Sequence, residues 1–455
     1  MVVRRRLIFW LIRAYLVKWG KTILFSFLAG LLVFFIVLFS SRYFANIIPI
    51  YKHTIIGVTG AYRIDDLPAI IVDKLSKGLT EVRDNGEVRP GIAKSWDIRD
   101  NGKTYVFHLK KNQYFSDGRS LTSDLVSYNF SDVKTERPDK YTIIFKLKDT
   151  YTPFLVTVSR PIFLADMIGA GEYKIDDIKL NGNFVQSLTL VRVKNRFDIM
   201  TYEFYPTVEA LKYAFALGEI RQAVGLSDIK FDKTSFDKFA NTKVNKKINY
   251  KKLVTLFYNN NDNILSDKKV RLGISYALPS NYSYGEKAFL PYSPISIYYN
   301  KDLEDKNQNF EHSRLLLSAA SSASDSAGKS NKISLTIQTL SKYKLLANDI
   351  TRSLSNVGVN TSIEEVDKVP SSFQIYLGDF LVSDDPDQYS LWHSGQLKNI
   401  TKYKNLRIDK LLEDGRKTID IATRKKIYAD FQRFLIEDVP ASFLYFPMEY
   451  EITRK

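Results

Sequence analysis

The chain contains no cysteine. That excludes disulfides, thiolate metal sites and thiol catalysis, and it removes the sulfur through which many lipoproteins are anchored. Histidine is nearly as scarce. His53, His108, His312 and His393 are widely scattered, so an imidazole-based metal or catalytic site has little to draw on and no cofactor is expected. No acidic residue precedes Asp65, whereas Arg4, Arg5, Arg6, Arg13, Lys18, Lys21 and Arg42 all lie in that stretch. They account for much of the formal net charge of +16. The rest of the excess is spread without the basic stripe and stacking aromatics that nucleic-acid binding requires, so a solvated basic surface is expected and no nucleic-acid partner. No Gly-rich phosphate loop and no nucleophile–base arrangement is found. The dense carboxylate group Asp379, Asp384, Asp385 and Asp387 lacks the glycine at which a calcium loop turns sharply. These absences argue against an enzyme.

A long apolar run is present. Thr22–Ser41 (TILFSFLAGLLVFFIVLFSS) carries no charge and is bracketed by Lys21 and Arg42. At ~1.5 Å per residue it spans the ~30 Å hydrocarbon layer of a bilayer, and a backbone crossing lipid must be helical. Six Lys/Arg precede the run, and only Arg42 and Lys52 follow closely. The positive-inside bias then places the N-terminus in the cytoplasm and the bulk of the chain outside. A cleaved signal peptide would have a shorter apolar core and a small-x-small cleavage site, neither of which is found here. The preceding Leu7–Trp19 either lies along the inner membrane interface or extends the anchor helix.

With 455 residues, the chain exceeds the ~250–300 at which one hydrophobic core stops growing, so at least two lobes are expected after the anchor. Asn85-Gly86 and Asn101-Gly102 each sit between apolar runs and predict hairpins. Thr122 is placed to cap a short helix bearing Val126 and Phe130, and Tyr141–Leu147 reads as a strand. Thr207–Leu217 reads as a helix closed by Gly218, and Asp267–Leu278 as a second helix. Ser318–Lys332 is small and polar and is expected to be a surface loop. Beyond it, strands (Ile333–Ile337, Phe373–Leu377, Ser442–Phe446) alternate with helices (Leu346–Leu354, Ile408–Leu412, Ala422–Leu435), an α/β pattern of sheets covered on their faces.

Several of these segments together resemble a known family. In Lys77–Phe130, the pieces Gly91-Ile92-Ala93-Lys94-Ser95-Trp96, Phe107-His108-Leu109 and Phe115-Ser116-Asp117-Gly118 stand in order. Val270–Leu278, Asp349–Val359, Phe373–Ser394 with its Asp-Pro element, Arg424–Pro440 and Leu444–Phe446 follow. This order resembles the family 5 extracellular solute-binding proteins, receptors of ABC importers for dipeptides, oligopeptides and nickel, and the likeness covers most of the chain after the anchor. It implies a two-lobed α/β fold of the periplasmic-binding-protein type (type II, cluster C) with an extra subdomain, preceded here by one transmembrane helix. The expected organisation is residues 1–21 as a cytoplasmic basic segment, 22–41 as the membrane helix and 42–76 as a linker with the first strand. Residues 77–255 form the first lobe with an inserted subdomain, 256–430 the second lobe, and 431–455 return to the first.

The resemblance implies a monomeric receptor that captures a peptide outside the cell and passes it to an ABC importer permease. The alternatives are a surface sensor or binding module of the same fold, or a receptor for a metal chelate or an oligosaccharide. In the family, an aspartate four residues before the proline of the Asp-Pro element meets the peptide's amino group. Here that proline is Pro386 and the matching residue is Val382, a departure. Asp384 or Asp385 is then expected to supply the carboxylate for a ligand cation, the other reading being that Ser383–Asp387 is only a turn capped by Asp385. Tyr389 and Trp392 are candidates for stacking on the ligand, and Trp96 is expected to be structural.

Overall fold

The computed structural model describes residues 2–44, 51–303, 307–324 and 333–455. These fall into two compact units, residues 1–53 with 195–199, and residues 54–194 with 200–455. The first unit is dominated by one helix, Val2–Phe44. It joins the charge-free run and Leu7–Trp19 without interruption, so of the two placements considered for Leu7–Trp19 the helical extension is the one observed. Its apolar stretch, Leu7–Phe39, is 33 residues long. At ~1.5 Å per residue that is about 50 Å, more than a bilayer's hydrocarbon layer needs. Its apolar side chains point outward on every side, Phe9, Trp10, Phe25, Phe27 and Phe39 among the most exposed. That composition is compatible with a membrane anchor.

The second unit is α/β. Its main sheet runs in the order Asn360–Glu365, Ser334–Thr339, Ile375–Leu381, Lys252–Tyr258, Ala441–Arg454, Gln222–Leu226, the 54–59 part of Lys52–Thr59, the 200–205 part of Asn195–Tyr205, Phe184–Arg192 and Tyr173–Asn181. Strand Thr242–Ile248 also pairs with Ala441–Arg454. That last strand is 14 residues long. Its first half lies against Lys252–Tyr258, and its second half, from Met448 on, against Thr242–Ile248. A separate four-stranded sheet is built from Ala93–Arg99, Thr104–Leu109, Thr142–Leu147 and Val133–Asp139.

Local signals set several boundaries. The Thr207 hydroxyl accepts the Ala210 N–H at the start of helix Val208–Leu217, and Gly218 ends it at φ 90°. Asn85-Gly86 turns between the paired strands Thr80–Val82 and Val88–Pro90, and Asn101-Gly102 between Ala93–Arg99 and Thr104–Leu109. Two expectations fail. The segment after Thr122 is not a helix, because the Arg137 guanidinium takes the Ser123 and Val126 carbonyls at 2.7 and 2.9 Å. Those acceptors are then lost to a helical ladder, while Val126 still enters the core. Nor is 318–324 a loop, since helix Phe310–Ser324 includes it; residues 325–332 lie outside those described. Leu317 and Ala320 seat that helix in the core against helix Lys268–Ala277. Gly273 allows the approach, for a Cβ there would lie 2.7 Å from Leu317.

The apolar interior is divided. One cluster fills the four-stranded sheet around Tyr105, Phe107, Phe145 and Phe154. Two more, around Leu256, Ile337 and Ile350 and around Tyr376, Tyr428 and Phe431, cover opposite faces of the sheet between Lys252 and Leu381. Others lie by Ile71, Leu188 and Tyr202 and by Leu211, Phe215 and Ile452.

Candidate functional site

Strand Ile375–Leu381 lies between Lys252–Tyr258 on one side and Ser334–Thr339 on the other. The pairing with Lys252–Tyr258 runs its full length, Leu381 opposite Lys252 and Ile375 opposite Tyr258. The pairing with Ser334–Thr339 stops at Leu377, opposite Thr339. The Val382 N–H donates to the Lys251 carbonyl at 2.9 Å. In an antiparallel pair, alternate residues point their backbone groups the same way, so Phe380 and Gly378 share that side. The N–H and C=O groups of Asp379 and Leu381 therefore face the other edge. Among the described residues no strand lies opposite them there. Leu381 is 79% exposed, and a short stretch of strand edge stands open.

Beside this edge, the Asp379 carboxylate gathers three donors. Lys342 Nζ lies 2.8 Å and the Tyr343 hydroxyl 2.7 Å from Oδ1, and Lys252 Nζ lies 3.3 Å from Oδ2. Burial acts to raise the Asp379 pKa, but the hydrogen bonds from Lys342 and Tyr343 and the two ammonium charges bring it below the ordinary carboxylate range.

Beyond Leu381 the chain passes a hollow of about 280 Å³. Its wall draws on segments distant in sequence: Asp84 and Gly86, Lys247–Lys251, Ser293 with Ile295 and Ser296, Val382–Asp384, and Glu449. Gly86 sits at φ 84°, and a Cβ on it would stand 2.8 Å from the Asp384 carbonyl oxygen, so this approach needs glycine. Lys251 forms an ion pair with Asp384. Burial lowers the Lys251 pKa, opposed by the nearby Asp84 and Asp73 carboxylates. Burial likewise raises that of Asp73, which Lys251 opposes. Lys251 thus faces the carboxylates of Asp384, Asp84 and Asp73, and the wall of the hollow also carries Lys247 and Glu449.

Of the four residues singled out in the sequence, Asp384 is the one placed at this hollow. Asp385 is 6% exposed and bidentate with Arg424, itself 3% exposed, at 2.6 and 3.0 Å. Its Oδ1 also accepts the Asp387 N–H, which is the local turn capping considered as the other reading. Burial disfavours the Arg424 charge, yet Asp385 holds its pKa above the ordinary value. Both oxygens are engaged inside the protein, and Asp385 is buried away from the hollow that Asp384 lines. Trp392, 1% exposed, packs on Phe443 and donates its indole N–H to Gln388, a core position that leaves no ring face for stacking. Tyr389 is half-buried on a second hollow of about 350 Å³, where Arg416 lies over both its ring and that of Tyr151. Val382 is buried with Leu253 and Phe446. Trp96 packs against Phe107. Among the described residues, no group of three or more His, Cys, Asp or Glu side chains is arranged to hold a metal ion.

Sequence reasoning missed the open strand edge, Lys251 and the Lys342–Tyr343–Lys252 cluster. Asp379 and Leu381 lie just before the Asp-Pro element, which does not reveal which strand ends where, and no pattern in the sequence marks Lys251, Lys252, Lys342 or Tyr343.

Comparison with known proteins places the chain in a family. The sequence model described as bacterial extracellular solute-binding proteins, family 5 middle, matches residues 87–401. The oligopeptide-binding protein AppA of Bacillus subtilis (strain 168) is 26% identical over 459 aligned positions, covering 85% of this chain and 83% of that protein. The solved structure of B. subtilis AppA in complex with a nonapeptide superposes with a TM-score of 0.68 at 22% identity, covering 89% of this chain and 95% of the other. NikZ from Campylobacter jejuni in complex with Ni(L-His) gives 0.72 at 20% identity, covering 89% and 94%.

Proposed function

Since the chain belongs to the family 5 bacterial extracellular solute-binding proteins, we propose that it is a receptor, not a catalyst, which captures peptides outside the cell and delivers them to an ABC importer permease. The observation that carries the peptide reading is the open edge at Asp379 and Leu381. An extended peptide laid along it completes two backbone groups at each residue, the mode of strand addition, and its side chains alternate between the two faces. The hollow around Lys251 and Asp384 continues that edge and takes the peptide's ammonium end, in place of the aspartate that Val382 replaces.

Closure accompanies capture. The body built on the sheet from Lys252 to Leu381 and the body built on the remaining strands act as two lobes. They are joined through the Asn249–Lys251 turn and through the middle of the last strand. Ligand contacts made by both lobes favour the closed arrangement, which a permease can distinguish from the open one. The receptor acts as a monomer, held at the outer face by Leu7–Phe39 with its basic N-terminus in the cytoplasm.

The test uses the full-length protein in detergent. Co-purifying ligand is identified by mass spectrometry, and thermal shifts are read against a peptide pool, nickel–histidine and oligosaccharides. A bound cargo raises the melting temperature by mass action. Peptides are expected to shift it; a silent peptide pool beside a shift with nickel–histidine or a sugar would overturn the peptide assignment. Asp384→Asn should weaken peptides with a free amino terminus about tenfold, ~1.4 kcal/mol, in calorimetry, and leave N-acetylated peptides unchanged. Equal affinities for wild type and variant would remove Asp384 from the site.

A further inference from the structure

One end of the main sheet carries basic and apolar side chains together. Arg221, just ahead of strand Gln222–Leu226, donates its N–H to the Ile55 carbonyl and accepts the Arg454 N–H, both at 2.9 Å. The chain therefore enters this unit, at Thr54, beside Arg221 and Arg454. Helix Val208–Leu217 ends at the same place. The Arg454 guanidinium donates to the carbonyls of Phe215 and Ala216 in its last turn, where a cation is favoured. Lys455 donates its N–H to the Asn241 carbonyl and its ammonium to that of Ala240, at 2.9 and 3.1 Å, which brings in the segment 238–241.

Four basic residues, Arg221, Lys238, Arg454 and Lys455, thus meet beside two acidic ones, Glu219 and Asp237. Asp237 already accepts the Ser235 hydroxyl. Among the described residues, none of the four basic groups is held in an ion pair. Apolar side chains stand out of the same surface. Leu217 is 75% exposed, Tyr213 one turn before it 59%, and Phe239 37%. Exposed apolar residues scattered singly mean little. Here Phe239 is fixed by a stack of rings, 5.6 Å from Phe236, which lies 5.3 Å from the buried Phe215. Basic groups set among apolar side chains make a surface suited to the interface of an anionic bilayer. The chain also keeps it within reach of one. The apolar stretch ends at Phe39, and residues 40–53 extend by no more than about 50 Å at ~3.5 Å each.

We propose that this end of the sheet docks on anionic phospholipid headgroups of the membrane that holds the anchor. Arg221, Lys238 and Lys455 meet the phosphates, while Leu217 and Phe239 enter the interface. The docking rests on the reading of Leu7–Phe39 as a membrane anchor and adds an orientation to it. The receptor is held against the bilayer by one face and does not swing freely on its tether.

With no native cysteine in the chain, a single reporter can be placed at will. Ala240→Cys, at an exposed position, is labelled with nitrobenzoxadiazole in the full-length protein. The protein is reconstituted into nanodiscs of phosphatidylcholine alone or of an equal mixture with phosphatidylglycerol. Emission in the anionic discs should exceed that in the neutral discs at least threefold, and high salt should erase the difference. Arg221→Glu combined with Lys238→Glu should bring it down to the neutral-disc level with the thermal midpoint unchanged. The same dye at Lys368→Cys, an exposed position beyond strand Asn360–Glu365, should not respond. Equal emission at Ala240→Cys in both discs, an equal response at Lys368→Cys, or a response that survives the charge reversal overturns the docking face with the anchor intact. Protein that enters discs of neither composition overturns the anchor reading, and the docking face with it.

Discussion

Arg424→Met is expected to cost about 3–5 kcal/mol of folding stability, the loss typical of a buried ion pair stripped of one partner. The guanidinium donates to both oxygens of Asp385, to the Gly415 carbonyl and to the Tyr298 hydroxyl. Methionine fills part of the volume and leaves the Asp385 charge buried with no cation. Asp385→Ala should be comparably damaging, since it leaves the guanidinium uncompensated and also removes the acceptor for the Asp387 N–H. The double variant Asp385→Leu/Arg424→Met should recover part of the loss, because neither charge is then left alone. Urea melts of the full-length protein followed by tryptophan fluorescence provide the check. A loss below about 1 kcal/mol in Arg424→Met would mean that Asp385 reaches water and is free to serve cargo after all.

The second large effect falls on binding and leaves folding nearly untouched. Leu381→Pro should weaken peptide cargo by roughly thirtyfold to a hundredfold, about 2–3 kcal/mol. Proline removes the outward N–H of residue 381 and leaves a peptide carbonyl without its donor. Its ring also stands where the added strand must approach. Edge strands tolerate proline when the missing N–H faces away from the ladder, and the Leu381 N–H faces away from Lys252–Tyr258. Thermal midpoints without cargo should therefore match the wild type, with the loss confined to calorimetric titrations. Undiminished affinity would place the cargo elsewhere.

Legibility in the sequence tracked the range of the forces involved. Thr207 and Gly218 bracket a helix by contacts with their immediate neighbours, and Asn85-Gly86 makes its turn with its own backbone, so both could be read from a few residues. The helix after Thr122 failed because its carbonyls are taken by Arg137, a side chain from another strand whose reach no local pattern records. Asp385 looked like a ligand group for the same reason, its partner Arg424 lying 39 positions away. Asp384 and Asp385 are adjacent and chemically identical, and only the path of the chain turns one toward a hollow and the other into the core. The open edge is less legible still. It exists because Ser334–Thr339 stops opposite Leu377 while Lys252–Tyr258 continues to Leu381, a difference in register between two ladders.

The 14-residue strand Ala441–Arg454 carries a consequence for how the molecule is made. It is the central member between Lys252–Tyr258 and Gln222–Leu226, and among the described residues it is also the one strand that pairs with Thr242–Ile248. At roughly 5–20 residues per second of translation, it leaves the ribosome after everything from Lys52 to Pro440 has been made. Until then the strands on either side of it lack their shared partner. The main sheet reaches its final form only once Ala441–Arg454 slots in like a keystone.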